Sequence, residues 1–429
     1  MRIGVVSLGC AKNQVDTEYM LGLLHDSGYE FVSNPKRADI LVVNTCGFID
    51  SAKQESINTI LEMAQYKSNG SCRLLIVTGC LAERYRKELS SELPEIDILL
   101  GVREYDRLPK LIADWFGLPC QQVLSHRRLL VSPPYRAYLR IADGCNNRCS
   151  YCAIPLIRGN LRSEPKEQII TEAKRLADEG VTELTVIAQD TSGYGRDLYG
   201  TPSLISLLKE LDRIDGFNWI RLLYTYPDTV TTDLLDTLAQ GSRTVPYLDI
   251  PLQHCNDAVL KRMNRRGTRK DIEKLLDHLY KNYPDFTLRT TMMVGFPGET
   301  DEQFEELLEF LRSYPFDRVG AFTYSPEENT PASMMPEQVD EQVKQERYHR
   351  LMQQQQVISR DRNTRWIGRE LTMLVEQTDP DTALGRTARE APDADGFVAV
   401  PGVIGLVPGQ YVSVRITGAD SYDMTGEII

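Results

Sequence analysis

Long apolar runs are missing from this 429-residue chain. Nothing in it approaches the ~20 consecutive apolar residues that span a bilayer. The opening Met1-Arg-Ile-Gly-Val-Val-Ser-Leu-Gly-Cys10 is interrupted too soon for a secretory leader, offers no small-residue cleavage site, and reads as a strand. An excess of positive charge is missing too. With 49 Lys plus Arg against 61 Asp plus Glu, a net of −12, the balance speaks against an extended nucleic-acid footprint, leaves a local one open, and suits a basic protein partner. No phosphate-binding loop, Ser/His/Asp set or paired-carboxylate arrangement stands out. Nine cysteines without an export signal argue for thiols or metal ligands in a reducing cytoplasm, not for a disulfide framework. The hydrophobic share of 41% and charged share of 26% are ordinary, and the length allows two or three domains, each with its own core.

Three cysteines are concentrated in one loop, Asp143-Gly-Cys-Asn-Asn-Arg-Cys-Ser-Tyr-Cys152, directly after the alternating, strand-like Tyr138-Leu-Arg-Ile-Ala142. Active-site loops of α/β proteins lie at such strand ends. Cys145, Cys149 and Cys152 could hold three corners of a cubane iron–sulfur cluster and leave the fourth iron open to a small molecule. The plain alternative is a zinc knuckle, but structural zinc takes four ligands, commonly as two close pairs. The nearest further candidates, His126, His254 and Cys255, are distant in sequence. An incomplete protein ligand set fits a cluster better.

A second pattern occupies the first third. Apolar strands Ile3 to Leu8, Ile40 to Val43 and Leu74 to Val77 lead into Gly9-Cys10, Asn44-Thr-Cys46 and Thr78-Gly-Cys80. Helical patterns lie between them, about Gln14 to Ser27 and Ser51 to Tyr66, and Asp97 to Gly101 looks like a fourth strand. This alternation predicts a parallel sheet. The three cysteines then share one address, the loops past the carboxyl ends of parallel strands, which can converge at a switch point. Cysteine is common in cores, but three at equivalent positions favour a second metal-cluster site. Cys72, Cys120 and Cys255 follow no such pattern and read as plain thiols.

Residues 124–136, with the Pro133-Pro134 break, read as a linker. Beyond it, strand-like runs at 137–142, Leu184 to Ala188, Trp219 to Tyr224, Tyr247 to Ile250, Thr287 to Gly295 and Arg318 to Tyr324 alternate with helical ones, including Lys166 to Glu179 and Glu302 to Ser313. Six such units predict a partial TIM-like (β/α)6 barrel with the Cys145 loop at its carboxyl-terminal mouth. Residues 338–364 predict a polar amphipathic helix with Tyr348, Leu351 and Ile358 on one face and the glutamines at 353–356 on a solvated one. After Trp366 come short strands: Leu371 to Glu376, Ala383 to Arg389, Gly396 to Val400, Gln410 to Ile416 and Asp423 to Ile428. About sixty residues of this kind predict a small β-barrel. From Gly368 to Ile429 four arginines and no lysine stand against ten acids, so the net is 4 − 10 = −6, which disfavours phosphate binding there. The expected division is 1–123, linker 124–136, 137–365 and 366–429.

Other strand-end motifs converge on the same mouth. Gly295-Phe-Pro-Gly-Glu-Thr300 reads either as a ribose or adenosine contact or as an ordinary βα turn. Ile250-Pro-Leu-Gln-His254 aims Gln253 and His254 at the mouth, making His254 a substrate candidate, although a lone histidine is more often structural. Lys261, Arg262, Arg265, Arg266, Arg269 and Lys270 form a basic run that could meet a carboxylate or simply face solvent. Arg158 is placed to interact with the cluster or with a carboxylate bound to it.

The Cys145-X3-Cys149-X2-Cys152 spacing resembles the signature of radical S-adenosylmethionine (SAM) enzymes. Together with Ser7-Leu-Gly-Cys-Ala-Lys-Asn13, Val15-Asp16, Asn44-Thr-Cys46, Thr78-Gly-Cys80, Ile154-Pro155, Arg158-Gly159, Gln253-His254 and Gly295-Phe-Pro-Gly-Glu299, it makes the whole chain resemble the radical-SAM methylthiotransferases. Leu8 to Asn13 and Pro251 to His254 look like the RimO branch, which modifies a ribosomal protein. Position 11 is Ala where that branch more often has Pro, and no side-chain chemistry is lost by it. The resemblance implies an α/β amino-terminal domain, a radical-SAM partial barrel and a TRAM β-barrel. It implies methylthiolation of the β-carbon of an aspartate in small-subunit ribosomal protein twelve. Cys145, Cys149 and Cys152 would hold a 4Fe–4S cluster that cleaves SAM to a 5′-deoxyadenosyl radical. Cys10, Cys46 and Cys80 would hold an auxiliary 4Fe–4S cluster that carries the sulfur, and a second SAM would give the methyl group. Candidate cofactor contacts are Tyr151, Arg158, Gln189, Gly295 and Glu299. An electron donor such as flavodoxin or ferredoxin would act as partner, in the cytoplasm. The rival readings are methylthiolation of a tRNA adenosine and a non-enzymatic iron–sulfur or zinc protein bound to ribosomes as scaffold or sensor.

Overall fold

A computed structural model describes residues 1–119 and 127–429. Cys120, His126 and the start of the expected linker lie outside the described residues. In the first unit, β1 (Arg2–Ser7), β2 (Glu30–Phe31), β3 (Ile40–Thr45), β4 (Leu74–Gly79) and β5 (Ile98–Leu99) make one parallel sheet in the order β2-β1-β3-β4-β5. Alternate residues of the central strands feed two apolar layers. Leu41, Val43, Leu75 and Val77 pack with Ile60 and Met63 of the helix Asp50–Ala64. Ile40, Val42, Leu74 and Ile76 pack with Met20 and Leu24 of the helix Ala11–Asp26. Every residue of β3 and β4 is buried, which is why these strands read as continuous apolar runs instead of alternating ones. The strand order reverses between β1 and β3, so the switch point lies where the chain leaves those two strands.

The second unit begins with β6 (Arg136–Arg140) and the short pair β7 (Ala142–Asp143) and β8 (Arg162–Ser163). It continues with β9 (Glu183–Ile187), β10 (Trp219–Leu222), β11 (Tyr247–Asp249), β12 (Thr287–Val294) and β13 (Arg318–Thr323). Parallel sheets β6-β9-β10 and β11-β12-β13 are joined by bonds from Ile220 N to Arg243 O (2.7 Å) and from Val245 N to Ile220 O (3.0 Å). The six strands make the expected partial barrel, with β6 and β13 at its edges.

β14 (Glu370–Asp379), β15 (Thr382–Thr387), β16 (Val398–Pro401), β17 (Tyr411–Ala419) and β18 (Met424–Ile428) close into a separate barrel. The end of β15 and the segment after it dock on the amino-terminal ends of the larger barrel's strands through buried charges. Arg386 bonds Glu183 at 2.5 and 3.1 Å, and Glu183 also faces Arg221 at 3.3 Å. Arg389 meets Asp317 at 3.1 Å, Arg318 meets Glu390 at 3.3 Å, and Tyr247 donates to Asp395 at 2.6 Å.

The long helix Glu341–Thr364 departs from the expected pattern. Its buried face is largely polar: Lys344, Arg347, Gln355, Ser359, Arg362 and Asn363 join Leu351. Gln355 donates to Phe316 O at 3.0 Å and to Ser359 Oγ at 2.9 Å, and Gln354 donates to Leu308 O at 2.8 Å. Two of the four glutamines therefore anchor the helix to backbone carbonyls instead of facing water, and apolar periodicity could not reveal them.

Removing one partner of a buried ion pair strands the other charge, at a cost of about 3–5 kcal/mol. Arg386→Met should therefore lower the calorimetric unfolding transition of the two barrels by that order. An unchanged midpoint would show that the docking segment contributes no stability.

Candidate active site

All six strand-end cysteines lie on the facing edges of the first unit and the larger barrel. Gly9 and Gly79 turn the chain out of β1 and β4 with φ of +90° and +96°, in the region that favours glycine. A Cβ on Gly9 would stand 2.9 Å from Cys46 Cβ and 3.1 Å from its sulfur, and one on Gly79 would stand 2.4 Å from Thr45 O. The close approach of the three loops thus requires those glycines. Asn13 ties two of the loops, donating to Leu8 O at 3.0 Å and to Thr45 O at 2.8 Å. Ser56 exchanges bonds with the backbone of Cys46 at 2.8 and 3.0 Å. Cys10 is exposed, Cys46 half-buried and Cys80 buried.

The Cys145 loop is held equally firmly. Cys145 N donates to Gly159 O at 3.1 Å, and Ser150 N donates to Met263 O at 2.9 Å. Arg265 donates to Tyr151 Oη at 3.1 Å and to Cys149 Sγ at 3.7 Å, and its guanidinium lies 4.4 Å from the Tyr226 ring centroid. Of the basic run, Arg265 is therefore the member that reaches the cysteines, while Arg262 bonds Gly298 O and Arg269 pairs with Glu273 and Glu306. Arg265 and Tyr226 were not singled out in the sequence. The run itself was the only signal for the arginine, and nothing marked the tyrosine.

Burial pushes the Cys145 thiol up to about 11, Cys152 up to about 12 and Cys80 up to about 12, and it also raises Cys46. Neighbouring cysteines add to the rise in each case. Thiolates grouped there need a strong positive partner, and iron bound to sulfur supplies one. Among the described residues no three His, Cys, Asp or Glu side chains close on a single-ion site. The donor set, all sulfur and three per loop group, is the set iron–sulfur clusters take.

Arg158 joins the two groups. Its guanidinium meets Asp16 of the first unit at 2.8 Å and Asp143 of the barrel at 3.3 Å. It also donates to Asn13 Oδ1 at 2.7 Å and to Cys80 Sγ at 3.5 Å. Desolvation opposes its charge, but Asp16, Cys80 and Asp143 hold its pKa well above the ordinary arginine value. Arg140 also pairs with Asp16. Cys80 packs with Val102, Ala153 and Ile157, so apolar contact reinforces the ionic joint. Gln189 donates to Asp143 at 2.9 Å, placing it beside the Cys145 loop.

Other expected positions have structural partners. Gly295 lies where a Cβ would meet Lys344 Cγ at 2.3 Å, so the long helix demands that glycine. Glu299 accepts from Gly295 N at 2.8 Å and Phe296 N at 3.2 Å and pairs with Arg347 at 3.0 Å. Burial holds it up, at about 7, against those partners. Gly295-Phe-Pro-Gly-Glu299 is thus a self-capped βα turn against the helix. His254, expected to face substrate, is wholly buried, its Nδ1 accepting from Asn256 N at 3.0 Å. Cys72 and Cys255 lie in apolar clusters, as plain thiols do.

A cavity of about 490 Å³ opens beneath Cys10, walled by Gln14, Tyr138, Tyr224 and Arg289 and floored by Ala391 to Ala394 of the docked segment. Tyr224 carries φ +61°, a strained value for a bulky residue. Asp249 enforces it, accepting from Tyr224 N at 2.9 Å while pairing with Arg289 at 2.9 Å. Lys12, 8% exposed, puts its ammonium 2.9 Å from the Tyr224 ring centroid, a contact worth about 2 kcal/mol when desolvated.

Three family models match the chain: the radical SAM superfamily over residues 139–311, the uncharacterized protein family UPF0004 over 2–101, and the TRAM domain over 367–429. A protein of Geobacter sulfurreducens named ribosomal protein uS12 methylthiotransferase RimO is 49% identical over 100% of this chain and 98% of its own. The protein of that name from Clostridium botulinum is 48% identical with the same coverage. Among solved structures, the radical SAM methyltransferase TsrM from Kitasatospora setae superposes with a TM-score of 0.58 at 15% identity, over 78% of this chain and 77% of that one. That likeness is one of fold.

Burial, with Arg262 and Arg347 nearby, lowers the His254 pKa from 6.5 to about 3. The folded chain thus keeps His254 neutral while the unfolded chain takes up a proton as pH falls below about 6.5. The stability this provides is complete above that pH and declines toward pH 3, by about 2 kcal/mol at pH 5. His254→Gln should accordingly reduce the loss of urea resistance between pH 7 and pH 5. An identical loss in both proteins would contradict this burial.

Proposed function

The chain belongs to the RimO family of ribosomal protein uS12 methylthiotransferases, and on that premise we propose that it places a methylthio group on the β-carbon of an aspartate in uS12. The observation that carries the reading is the confrontation of two cysteine triplets across Arg158. Cys145, Cys149 and Cys152 would hold the 4Fe–4S cluster that works with SAM, and Cys10, Cys46 and Cys80 would hold an auxiliary one. When bound, the two clusters with SAM would supply radical chemistry able to replace a hydrogen on an unactivated carbon by sulfur and a methyl group.

The chain's own residues orient, shield and balance charge. Arg265 sets a fixed cation against Cys149 and keeps Tyr151 and Tyr226 in place, offsetting the negative charge that gathers on sulfur. Asp143, held by Arg158 and Gln189, fixes the start of the Cys145 loop. Apolar contacts of Cys80 with Ala153 and Ile157 close water out of the joint. Reacting atoms must come within about 3–3.5 Å of each other, which a loosely jointed pair of domains would not maintain.

The division 1–123, 124–136, 137–365 and 366–429 remains our reading of the domains. The small barrel favours a basic protein over tRNA. Two of its four arginines, Arg386 and Arg389, are buried in the docking contact together with Glu390 and Asp395, so its outward face keeps two arginines against eight acids, a net of 2 − 8 = −6. Such a face attracts ribosomal proteins and repels phosphate. No helix among the described residues is long and apolar enough to cross a membrane. A ribosomal-protein substrate places the reaction in the cytoplasm, with an electron donor such as flavodoxin or ferredoxin.

Anaerobically reconstituted protein, incubated with SAM, a reductant and either uS12 or tRNA, tests this directly. Methylthiolated uS12 is expected, and methylthiolated tRNA beside unmodified uS12 would overturn the substrate. Cys149→Ala should abolish SAM cleavage. Cys80→Ala should retain it, lose transfer, and contain about half the iron, since a cluster short of a cysteine ligand is lost. Zinc in place of iron would favour the scaffold reading.

A further inference from the structure

Lys12 is a buried cation that the machinery described above does not use. It lies in the first turn of the helix Ala11–Asp26, between Cys10 and Asn13, and is 8% exposed. Among the described residues its ammonium makes no hydrogen bond or ion pair, and its contact is the face of Tyr224. Other cations nearby are paired: the buried Arg158 with Asp16 and Asp143, the half-buried Arg140 with Asp16, and, at the docked segment, the half-buried Arg136 with Asp393. A buried ammonium without an acceptor is costly unless a ligand completes it.

The surroundings indicate what kind of ligand. Tyr224 is a wall of the 490 Å³ cavity that opens beneath Cys10, and Arg289 is another. Asp249 locks both, through Tyr224 N and the Arg289 guanidinium, each at 2.9 Å. The lock holds Tyr224 in its left-handed backbone conformation with the ring under Lys12. Arg289, paired with Asp249 at 2.9 Å and with Asp395 at 3.5 Å, thus walls a space next to an auxiliary-cluster cysteine, and Lys12 adjoins that space through the Tyr224 ring on which it packs. A side chain reaching that space past Cys10 meets an ammonium still able to donate and a planar guanidinium suited to a carboxylate.

We infer that Lys12, with Arg289, grips the carboxylate of the target aspartate in the cavity beneath Cys10 and so sets the specificity for an acidic side chain. This rests on the proposed reaction and names how the site selects its residue. The grip places the β-carbon, one bond from the carboxylate carbon, beside the sulfur-bearing site, and it leaves an uncharged amide without a matching charge. Tyr224 holds Lys12 ready before substrate arrives, and Arg289, set on β12, gives the second point that fixes orientation.

The test compares uS12 with a uS12 variant whose target aspartate is asparagine. Binding to the reconstituted enzyme is measured by titration calorimetry, and turnover is measured separately. The unaltered enzyme should bind the aspartate form about tenfold more tightly or better, a size expected of a charge-assisted contact. Lys12→Met should erase most of that preference while keeping its iron and sulfide content, and Lys12→Arg should restore part of it. Equal weakening toward both forms, or loss of auxiliary-cluster iron from Lys12→Met, would overturn the inference and assign Lys12 to the cluster instead. Failure of the unaltered enzyme to modify uS12 at all would count against the proposed reaction, whereas a preference unchanged in Lys12→Met would count against the carboxylate grip alone.

Discussion

The fold of this protein turns on one guanidinium. Arg158 follows the Cys145 loop closely in sequence, yet it is shared between Asp143 of its own barrel and Asp16 of the other domain, and it touches Cys80. Two guanidinium groups, Arg158 and Arg140, balance two carboxylates, Asp16 and Asp143, so removal of Arg158 leaves the buried set one charge short. Each of the two sulfur triplets sits on a rigid strand-end scaffold, and Arg158 fixes the distance between the scaffolds.

The far end of the barrel follows the same logic. The end of β15 and the segment after it carry Arg386, Arg389, Glu390, Asp393 and Asp395 into the amino-terminal ends of the barrel strands, where Glu183, Asp317, Arg318, Arg136 and Tyr247 receive them. The β-barrel at the carboxyl terminus is therefore also a structural floor. It closes the cavity from below while the first domain closes it from above. An incomplete barrel of six strands gains two lids in this way, one bearing three strand-end cysteines and one of net acidic charge.

Much of this was legible in the sequence because it follows from short-range pattern. Buried parallel strands read as apolar runs, so the strand ends, and with them Cys10, Cys46, Cys80 and the Cys145 loop, could be located within a residue or two. Long-range polar pairing left no such trace. Glu183 and Arg386 are 203 residues apart, Gln355 is buried on a carbonyl, and Arg265 is one of six cations in a run whose other arginines bond Gly298, Asn147 and Glu273. Local composition reports none of these partners. Gly295 and Glu299 show a further limit: both sit in a strand-end motif, and the sequence did not indicate that the long helix brings Arg347 to Glu299 and Lys344 to Gly295.

The central claim is that the Arg158 joint couples radical formation to sulfur transfer by holding the two sites in register. The most direct measurement is the ratio of 5′-deoxyadenosine formed to uS12 methylthiolated in an Arg158→Met protein that retains its iron. The account predicts continued SAM cleavage with a ratio raised at least tenfold, as expected when a small misplacement of reacting groups lowers transfer alone. A ratio equal to that of the unaltered enzyme would contradict it.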